Sequence, residues 1–296
     1  MVETAYIFPG QGVQYVGMGK ALYDEHEIAR KTFDHANKIL GFDIAKLCFE
    51  GPAVELTKTE NCQAAILVAS IAAFRVLLSD KTEFTPVVAL GLSLGEYTAL
   101  VAAEALNFSD AVKIVRFRGQ YMEEAGRENP GKMASILGLD VEKLMKVCED
   151  SGAEIANLNC PGQVVVSGTV EAVDKAAALS RERGARRVIM LDVSGAFHSS
   201  LMASASHKLA AALKGIMIIA PKIPVVSNVT AFSQDDPTLI KENLVDQVST
   251  TTRWEESIKN VTKRGVTNFL EIGPGTVLKG LLRRIDPDLT CQNISA

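Results

Sequence analysis

The sequence predicts an α/β fold: a parallel sheet covered by helices on both faces, interrupted by one small β-α-β-β-α-β unit. Three observations carry this expectation. Short apolar runs such as Ala5 to Phe8 and Val87 to Leu90 alternate with longer helical patterns along most of the 296-residue chain, the order that builds parallel sheets. Glycine and proline cluster directly after several of these runs, as in Pro9-Gly10-Gln11-Gly12, Gly91-Leu92-Ser93-Leu94-Gly95 and Gly273-Pro274-Gly275, which marks strand ends. The middle of the chain departs from simple alternation, with two strands following each other through a tight turn.

Taken in order, Ala5 to Phe8 is the first strand, followed by helical patterns from Met18 to Leu40 and from Gln63 to Leu78. Val87 to Leu90 is a second strand that runs through Gly91-Leu92-Ser93-Leu94-Gly95 into a helix from Glu96 to Ala105. The next helix starts near Ser109, a suitable cap, and runs to Ala125. Lys132 to Gly138 reads as a strand. Asp140 can cap a helix to Asp150, with Gly152 just beyond its end. Glu154 to Asn159 and Val164 to Ser167 are strands joined by Cys160-Pro161-Gly162-Gln163, a hairpin signal. Val170 to Arg183 is helical, Gly184 stops it, and Arg187 to Val193 is a further strand. This order is the split βαβ, or ferredoxin-like, unit. The expected organisation is therefore a small domain at 128–194 inside a large domain formed by 1–127 and 195–296. In the second part of the large domain, helix Leu201 to Leu213, strand Ile223 to Asn228, helix Trp254 to Lys263, strand Asn268 to Ile272 and a helix to Arg284 follow.

Composition narrows the function classes. A net charge of −4 gives no support to a nucleic-acid partner, which calls for a basic surplus. With 47% hydrophobic and 22% charged residues the chain is globular in composition. The five cysteines, at 48, 62, 148, 160 and 291, are odd in number and have no CxxC spacing. They support neither a disulfide framework nor a zinc site, and each is expected as a small buried side chain. The longest apolar run, Ala64 to Phe74, is too short to span a membrane. The N-terminus has no basic and apolar leader pattern. A cytoplasmic, monomeric protein is expected.

Gly91-Leu92-Ser93-Leu94-Gly95 matches the G-x-S-x-G nucleophile elbow and lies between a predicted strand and a predicted helix, the context the chemistry requires. A sharp turn exposes the serine hydroxyl, and the helix that follows stabilises negative charge beside it. Ser93 needs a base. Of His26, His35, His198 and His207, the first two fall on a charged helix and His207 on another helix, whereas His198 lies in the loop Ser194-Gly195-Ala196-Phe197-His198-Ser199. His198 is the best placed. No carboxylate between Ser93 and His198 reads as a third triad member: those present look like helix caps or helix surface, and Asp192 ends a strand. This counts against a simple esterase. The Leu94 N–H supplies one oxyanion donor, and the Pro9-Gly10-Gln11-Gly12 loop is the candidate for the second. Arg116 reads as solvated. Arg118 precedes Gly119, a sign of close packing, and a guanidinium turned into a cleft suits a planar carboxylate.

Six segments together resemble the malonyl-CoA:acyl carrier protein transacylases and the related acyltransferase domains: YIFPGQGVQYVGMG at the start, GLSLGEYTAL at 91–100, FRGQYM at 117–122, NCPGQVVVSG at 159–168, GAFHS at 195–199 and EIGPG at 271–275. The resemblance runs nearly end to end. It implies an α/β-hydrolase-like large domain with an inserted ferredoxin-like small domain. It also implies that Ser93 is acylated, that His198 is its base, and that Gln11 and Leu94 form the oxyanion hole. Arg118 would hold the malonyl carboxylate, and the Gln247 backbone carbonyl would orient His198 in place of an acid. Gln63 and Asn159 match cleft positions, and Phe197 would crowd α-branched substrates. Leu92 departs from the family, many members of which carry histidine there. The implied reaction is ping-pong transfer from malonyl-CoA to the phosphopantetheine thiol of acyl carrier protein, in fatty acid biosynthesis, with no metal or redox cofactor. A serine hydrolase, or service in a polyketide pathway, is the alternative. The cluster Arg181, Arg183, Arg186 and Arg187 is a candidate for steering an acidic carrier protein.

Overall fold

Alternation along the first strand organises the molecule. In a computed structural model that describes residues 2–80 and 84–296, strand β1 (Val2–Phe8) sends Tyr6 and Phe8 into one hydrophobic core and Ala5 and Ile7 into another. Opposite faces of a strand alternate residue by residue, so β1 must be covered on both sides. Helices α1 (Lys20–Glu25), α2 (Glu27–Leu40), α3 (Ile44–Glu50), α4 (Ala53–Thr57) and α5 (Thr59–Ser79) separate β1 from β2 (Phe84–Gly91), and α6 (Gly95–Ala102) and α7 (Phe108–Glu128) follow it. Next come β3 (Gly131–Leu137), α8 (Val141–Ser151), β4 (Glu154–Cys160), β5 (Gln163–Thr169), α9 (Val170–Glu182) and β6 (Arg187–Met190). A 3₁₀ turn, Ser200–Met202, leads into α10 (Ala203–Leu213). The chain continues with β7 (Val225–Val226), β8 (Ser233–Gln234), α11 (Pro237–Asp246), α12 (Trp254–Thr262), β9 (Asn268–Ile272), α13 (Val277–Ile285) and β10 (Thr290–Ile294).

The larger sheet has six strands in the order β10-β9-β1-β2-β7-β8. Its first five strands run parallel, and β8 is antiparallel to β7. The sheet is therefore mixed, not wholly parallel as expected, because the chain reverses between Ser227 and Phe232, whose backbones hydrogen-bond at 3.0 Å. The core on one face draws on α2, α5, α6 and α7, and the core on the other on α12 and α13. The second sheet is antiparallel, in the order β4-β5-β3-β6. Ala134, Ile136, Val164 and Val166 on one of its faces pack with Leu144, Val147, Val173 and Ala176 of α8 and α9. Met133, Ser135, Val165 and Asn159, on the opposite face, line the cleft that contains Ser93.

Several expected elements shift. The Met18 to Leu40 helix is broken at His26, which is extended (φ −120°, ψ 119°). Asn107, not Ser109, caps α7 by accepting from the Asp110 N–H at 2.9 Å. The strand expected to reach Val193 ends at Met190, and the one expected at Ile223 to Asn228 is two residues long. Elements α3, α4, α11, β8 and β10 were not expected. For α11 the signal was present: Asp236 accepts from the Thr238 N–H at 2.7 Å and Pro237 opens the helix, the usual chemistry of a helix start. Helix α5 is 21 residues long, and an 18-residue segment of it has a mean hydropathy of 1.9. By length and composition it could cross a membrane, but 78% of that segment is buried within the protein. All five cysteines are free; Cys48, Cys62 and Cys160 are buried, while Cys148 and Cys291 are partly exposed.

Glycine at 95 is required by close approach: a Cβ there would lie 2.2 Å from the Phe8 carbonyl oxygen. Gly280 in α13 is the opposite case, since a Cβ there meets nothing within 4 Å. Urea denaturation is expected to show Gly280→Ala stabilising the protein by about 0.5–1 kcal/mol. Gly95→Ala is expected to destabilise it by about 1–3 kcal/mol or more.

Candidate active site

Strand β2 ends at Gly91, and Ser93 sits on the turn into α6 with φ of 52°. A left-handed backbone is unfavourable for a residue with a Cβ, so the turn must be held from outside. Asn228 does this after β7. Its Oδ1 accepts from the Ser93 N–H at 2.7 Å, and its Nδ2 donates to the Gly91 carbonyl at 2.7 Å. Gly10 of the Pro9–Gly12 loop packs so closely that a Cβ would lie 2.5 Å from the Leu92 carbonyl oxygen. Gln11 and Leu94 therefore lie on the wall of the same cavity as Ser93.

His198 is also left-handed, with φ of 58°, and its backbone N–H donates to the Val248 carbonyl at 3.2 Å. Its ring bridges two groups. Nδ1 is 2.7 Å from the Gln247 carbonyl oxygen and Nε2 is 2.9 Å from Ser93 Oγ. A carbonyl can only accept, so Nδ1 carries the hydrogen and the Nε2 lone pair faces the serine hydroxyl. Burial, and then the nearby positive charge of Arg118, lower the His198 pKa from 6.5 to about 4. The imidazole is therefore a neutral base at physiological pH.

Arg118, on α7, is 1% exposed. The glycine that follows it allows this placement, since a Cβ at Gly119 would lie 2.6 Å from the Glu60 Cα of the facing helix. Its Nη1 donates to Gln63 Oε1 at 2.6 Å, and its Nη2 to Ser93 Oγ at 3.0 Å and Gln247 Oε1 at 2.9 Å. The guanidinium also lies 5.7 Å from the centre of the Tyr97 ring, within cation–π range. None of these partners is a carboxylate; Glu96 acts on Arg118 only through space, across the Gln247 amide. A buried guanidinium with no carboxylate in direct contact is costly, and this leaves Arg118 suited to an anion arriving beside Ser93. Arg116 departs from its expected solvated state: it bonds Glu60 and Asn61 and packs over Phe42.

The cavity in front of Ser93 measures about 400 Å³. Gln11, Gln63, Leu94, Arg118, Asn159, Phe197 and His198 all line it, so the structure brings these expected residues together with Ser93. Gln247 lies behind them, wholly buried. Among the described residues, Asn159 Oδ1 has no hydrogen-bond partner. Phe197 faces the cavity and also belongs to the main hydrophobic core. His35 and His207 are exposed and His26 caps a helix, so His198 alone of the four reaches the serine.

One residue escaped the sequence reading. Glu96, in the first turn of α6, looks like an exposed helix-start carboxylate, yet it is 0% exposed. It accepts from the Gln247 side chain at 2.7 Å, the Asn228 N–H at 3.0 Å and the Gln234 side chain at 3.1 Å. Burial pushes its pKa up to about 7 against the pull of these donors and of Arg118.

A serine bonded to a neutral histidine, with a buried arginine bonded to the same hydroxyl, is the arrangement of an enzyme that works through a serine ester. The sequence profile of the acyl transferase domain family matches residues 5–285. The malonyl CoA-acyl carrier protein transacylase of Bacillus subtilis is 46% identical over 300 residues, covering 100% of this chain and 94% of that protein. The acyl carrier protein S-malonyltransferase of Vibrio cholerae superimposes with a TM-score of 0.96 at 39% identity, covering 99% and 97% of the two chains. A malonyl-transacylase solved in complex with its type II PKS acyl-carrier protein gives 0.95 at 40% identity, covering 98% and 95%. The chain belongs to the malonyl-CoA:acyl carrier protein transacylase family of acyltransferases.

The lowered pKa of His198 can be read directly. By proton NMR its ring resonances are expected to titrate with a midpoint near 4. Because the unfolded chain binds this proton below pH 6.5 and the folded chain only near 4, the His198 contribution lowers stability as pH falls through that window. Glu96, raised to about 7, contributes in the opposite sense as pH rises above its unfolded value. A His198 midpoint at or above 6.5 would refute the neutral, desolvated base.

Proposed function

We propose that the protein moves a malonyl group from malonyl-CoA to the phosphopantetheine thiol of acyl carrier protein, in fatty acid biosynthesis, through a malonyl ester on Ser93. The observation that carries this reading is Arg118, buried with only neutral hydrogen-bond partners and bonded to the nucleophile itself. A malonyl carboxylate bound there would supply a negative charge in direct contact and two acceptor oxygens. It would also place the thioester carbonyl beside Ser93.

Ser93 Oγ attacks that carbonyl carbon while its proton passes to His198 Nε2, the contact already made at 2.9 Å. The Leu94 and Gln11 N–H groups stabilise the oxyanion. Collapse of the tetrahedral intermediate breaks the C–S bond, and the departing CoA sulfur takes the proton from His198. The second half runs in reverse: His198 accepts the carrier thiol proton, sulfur attacks the ester, and the proton returns to Ser93. The Gln247 carbonyl holds the ring throughout by its bond to Nδ1. It stabilises the imidazolium less than a carboxylate would, which suits a step with good thiol leaving groups. Gln63 braces Arg118, while Asn159 and Phe197 face the acyl chain.

The proposal extends to the domain organisation and the setting of the protein. Residues 1–127 and 195–296 are taken as an α/β-hydrolase-like catalytic domain, and 128–194 as a ferredoxin-like domain. Support for the division comes from a separate small core within residues 134–188. The protein acts as a cytoplasmic monomer, with no nucleic-acid or membrane partner and no cofactor beyond its substrates. Arg181, Arg186 and Arg187 are exposed and available for carrier steering, whereas Arg183 is engaged by Asp150.

Intact-mass spectrometry after mixing with malonyl-CoA is expected to show one malonyl adduct on the parent and none on Ser93→Ala; an undiminished adduct on the variant would falsify the assignment. Adding carrier protein should discharge the adduct by transfer, where a hydrolase would lose it to water. Arg118→Ala is expected to lose about 3–5 kcal/mol of preference for malonyl-CoA over acetyl-CoA, the cost of removing one side of a buried charge pair. Equal losses with both substrates would make Arg118 structural.

A further inference from the structure

We propose that Glu96 is the positioning residue of this site: buried beneath the elbow, it orients the Gln247 amide and thereby holds His198, Arg118 and Ser93 in register. The inference deepens the acyl-transfer reading and rests on it. Three residues of the stretch 228–247, remote from Glu96 in sequence, converge on this one carboxylate. Oε2 accepts from Gln247 Nε2 at 2.7 Å and from the Asn228 N–H at 3.0 Å, and Oε1 accepts from Gln234 Nε2 at 3.1 Å. Asn228 in turn brackets the Ser93 turn through its side chain. Gln234 is itself held by Asn243 Nδ2 at 2.7 Å.

The Gln247 amide is where the carboxylate acts on the chemistry. One Nε2 hydrogen goes to Glu96 and the other reaches the Ser93 carbonyl at 3.1 Å, while Oε1 accepts from Arg118 at 2.9 Å. An amide is asymmetric, and turned the other way it would set Oε1 against the Glu96 carboxylate and NH₂ groups against the Arg118 guanidinium. Glu96 therefore selects the one orientation that serves Arg118. The same residue carries the carbonyl that receives His198 Nδ1–H. A triad places its acid directly on histidine. Here the acid stands one residue back, and its partners are all donors that favour the anion, against the burial that raises its pKa.

The test compares the parent with Glu96→Gln, Gln247→Ala and the double variant. Rapid-quench mass spectrometry gives the rate of malonyl-enzyme formation at varied malonyl-CoA, and thermal unfolding is measured on the same samples. Glu96→Gln is expected to slow acylation at saturating substrate by about 10- to 100-fold, as misplacement of reacting groups by up to about 1 Å does, and to raise the half-saturating concentration as Arg118 loses its register. Gln247→Ala should do likewise. The double variant should be no slower than the slower single one, because both changes break one path. Parent-like acylation by Glu96→Gln, a loss confined to stability, or multiplying losses in the double variant would each overturn the proposal. Glu96→Asp keeps the charge but withdraws it from Gln247, and parent-like acylation in that variant would overturn the proposal where Glu96→Gln does not fold. A parent that forms no malonyl adduct would instead sink the acyl-transfer reading itself.

Discussion

The backbone at Ser93 keeps its left-handed turn only because two remote segments grip it from either side. Asn228 closes on the Ser93 N–H and the Gly91 carbonyl, while the Gln247 side chain reaches the Ser93 carbonyl. Without these bonds a residue with a Cβ would relax toward the right-handed region, and the hydroxyl would swing off the end of α6. Most of the region between α10 and β9 can be understood from this requirement. Strand β7 is only two residues long, yet it delivers Asn228, and α11 delivers Gln247 at its end. Short strands and a polar connection are tolerated there because their hydrogen bonds are spent on the elbow.

The sequence revealed the parts of this arrangement that have a local chemical signature. Gly91, Ser93 and Gly95 were legible because the crowding at a strand-to-helix turn can be met only by certain residues. Arg118 was legible through Gly119, whose lack of a side chain lets α7 approach Glu60. Gln247 was not legible from chemistry, only from resemblance, since any residue offers a backbone carbonyl. Glu96 was misread because a glutamate in a first helical turn usually faces water and favours the helix dipole. Here α6 is covered on all sides, which its eight residues do not announce. Strand β10 was missed for a related reason: Thr290, Cys291, Gln292 and Asn293 do not alternate in polarity, and β10 lies at the sheet edge, paired among the described residues with β9 alone.

The smaller sheet has two unequal faces. Ala134, Ile136, Val164 and Val166 pack inward, while Met133, Ser135 and Val165 face the cavity. A one-residue slip in the pairing of β3 with β5 would exchange them. The inward residues carry the small core and their neighbours shape the cavity in front of Ser93. Met133, Val165 and Phe197 each line that cavity and belong to the main core as well, whereas Ser135 lines it without belonging to that core.

The positive charge that Arg118 brings next to the imidazole has a consequence for selectivity. In the free protein it helps hold His198 at a low pKa, second only to burial. On the proposed reading, a dicarboxylic half-ester brings a negative charge onto Arg118, cancels this repulsion, and raises the basicity of the group that must take the serine proton. A monocarboxylic acyl group leaves the repulsion in place. The pocket would then discriminate twice with one arginine: in the occupancy of the Michaelis complex, and again in the readiness of the base once the complex has formed.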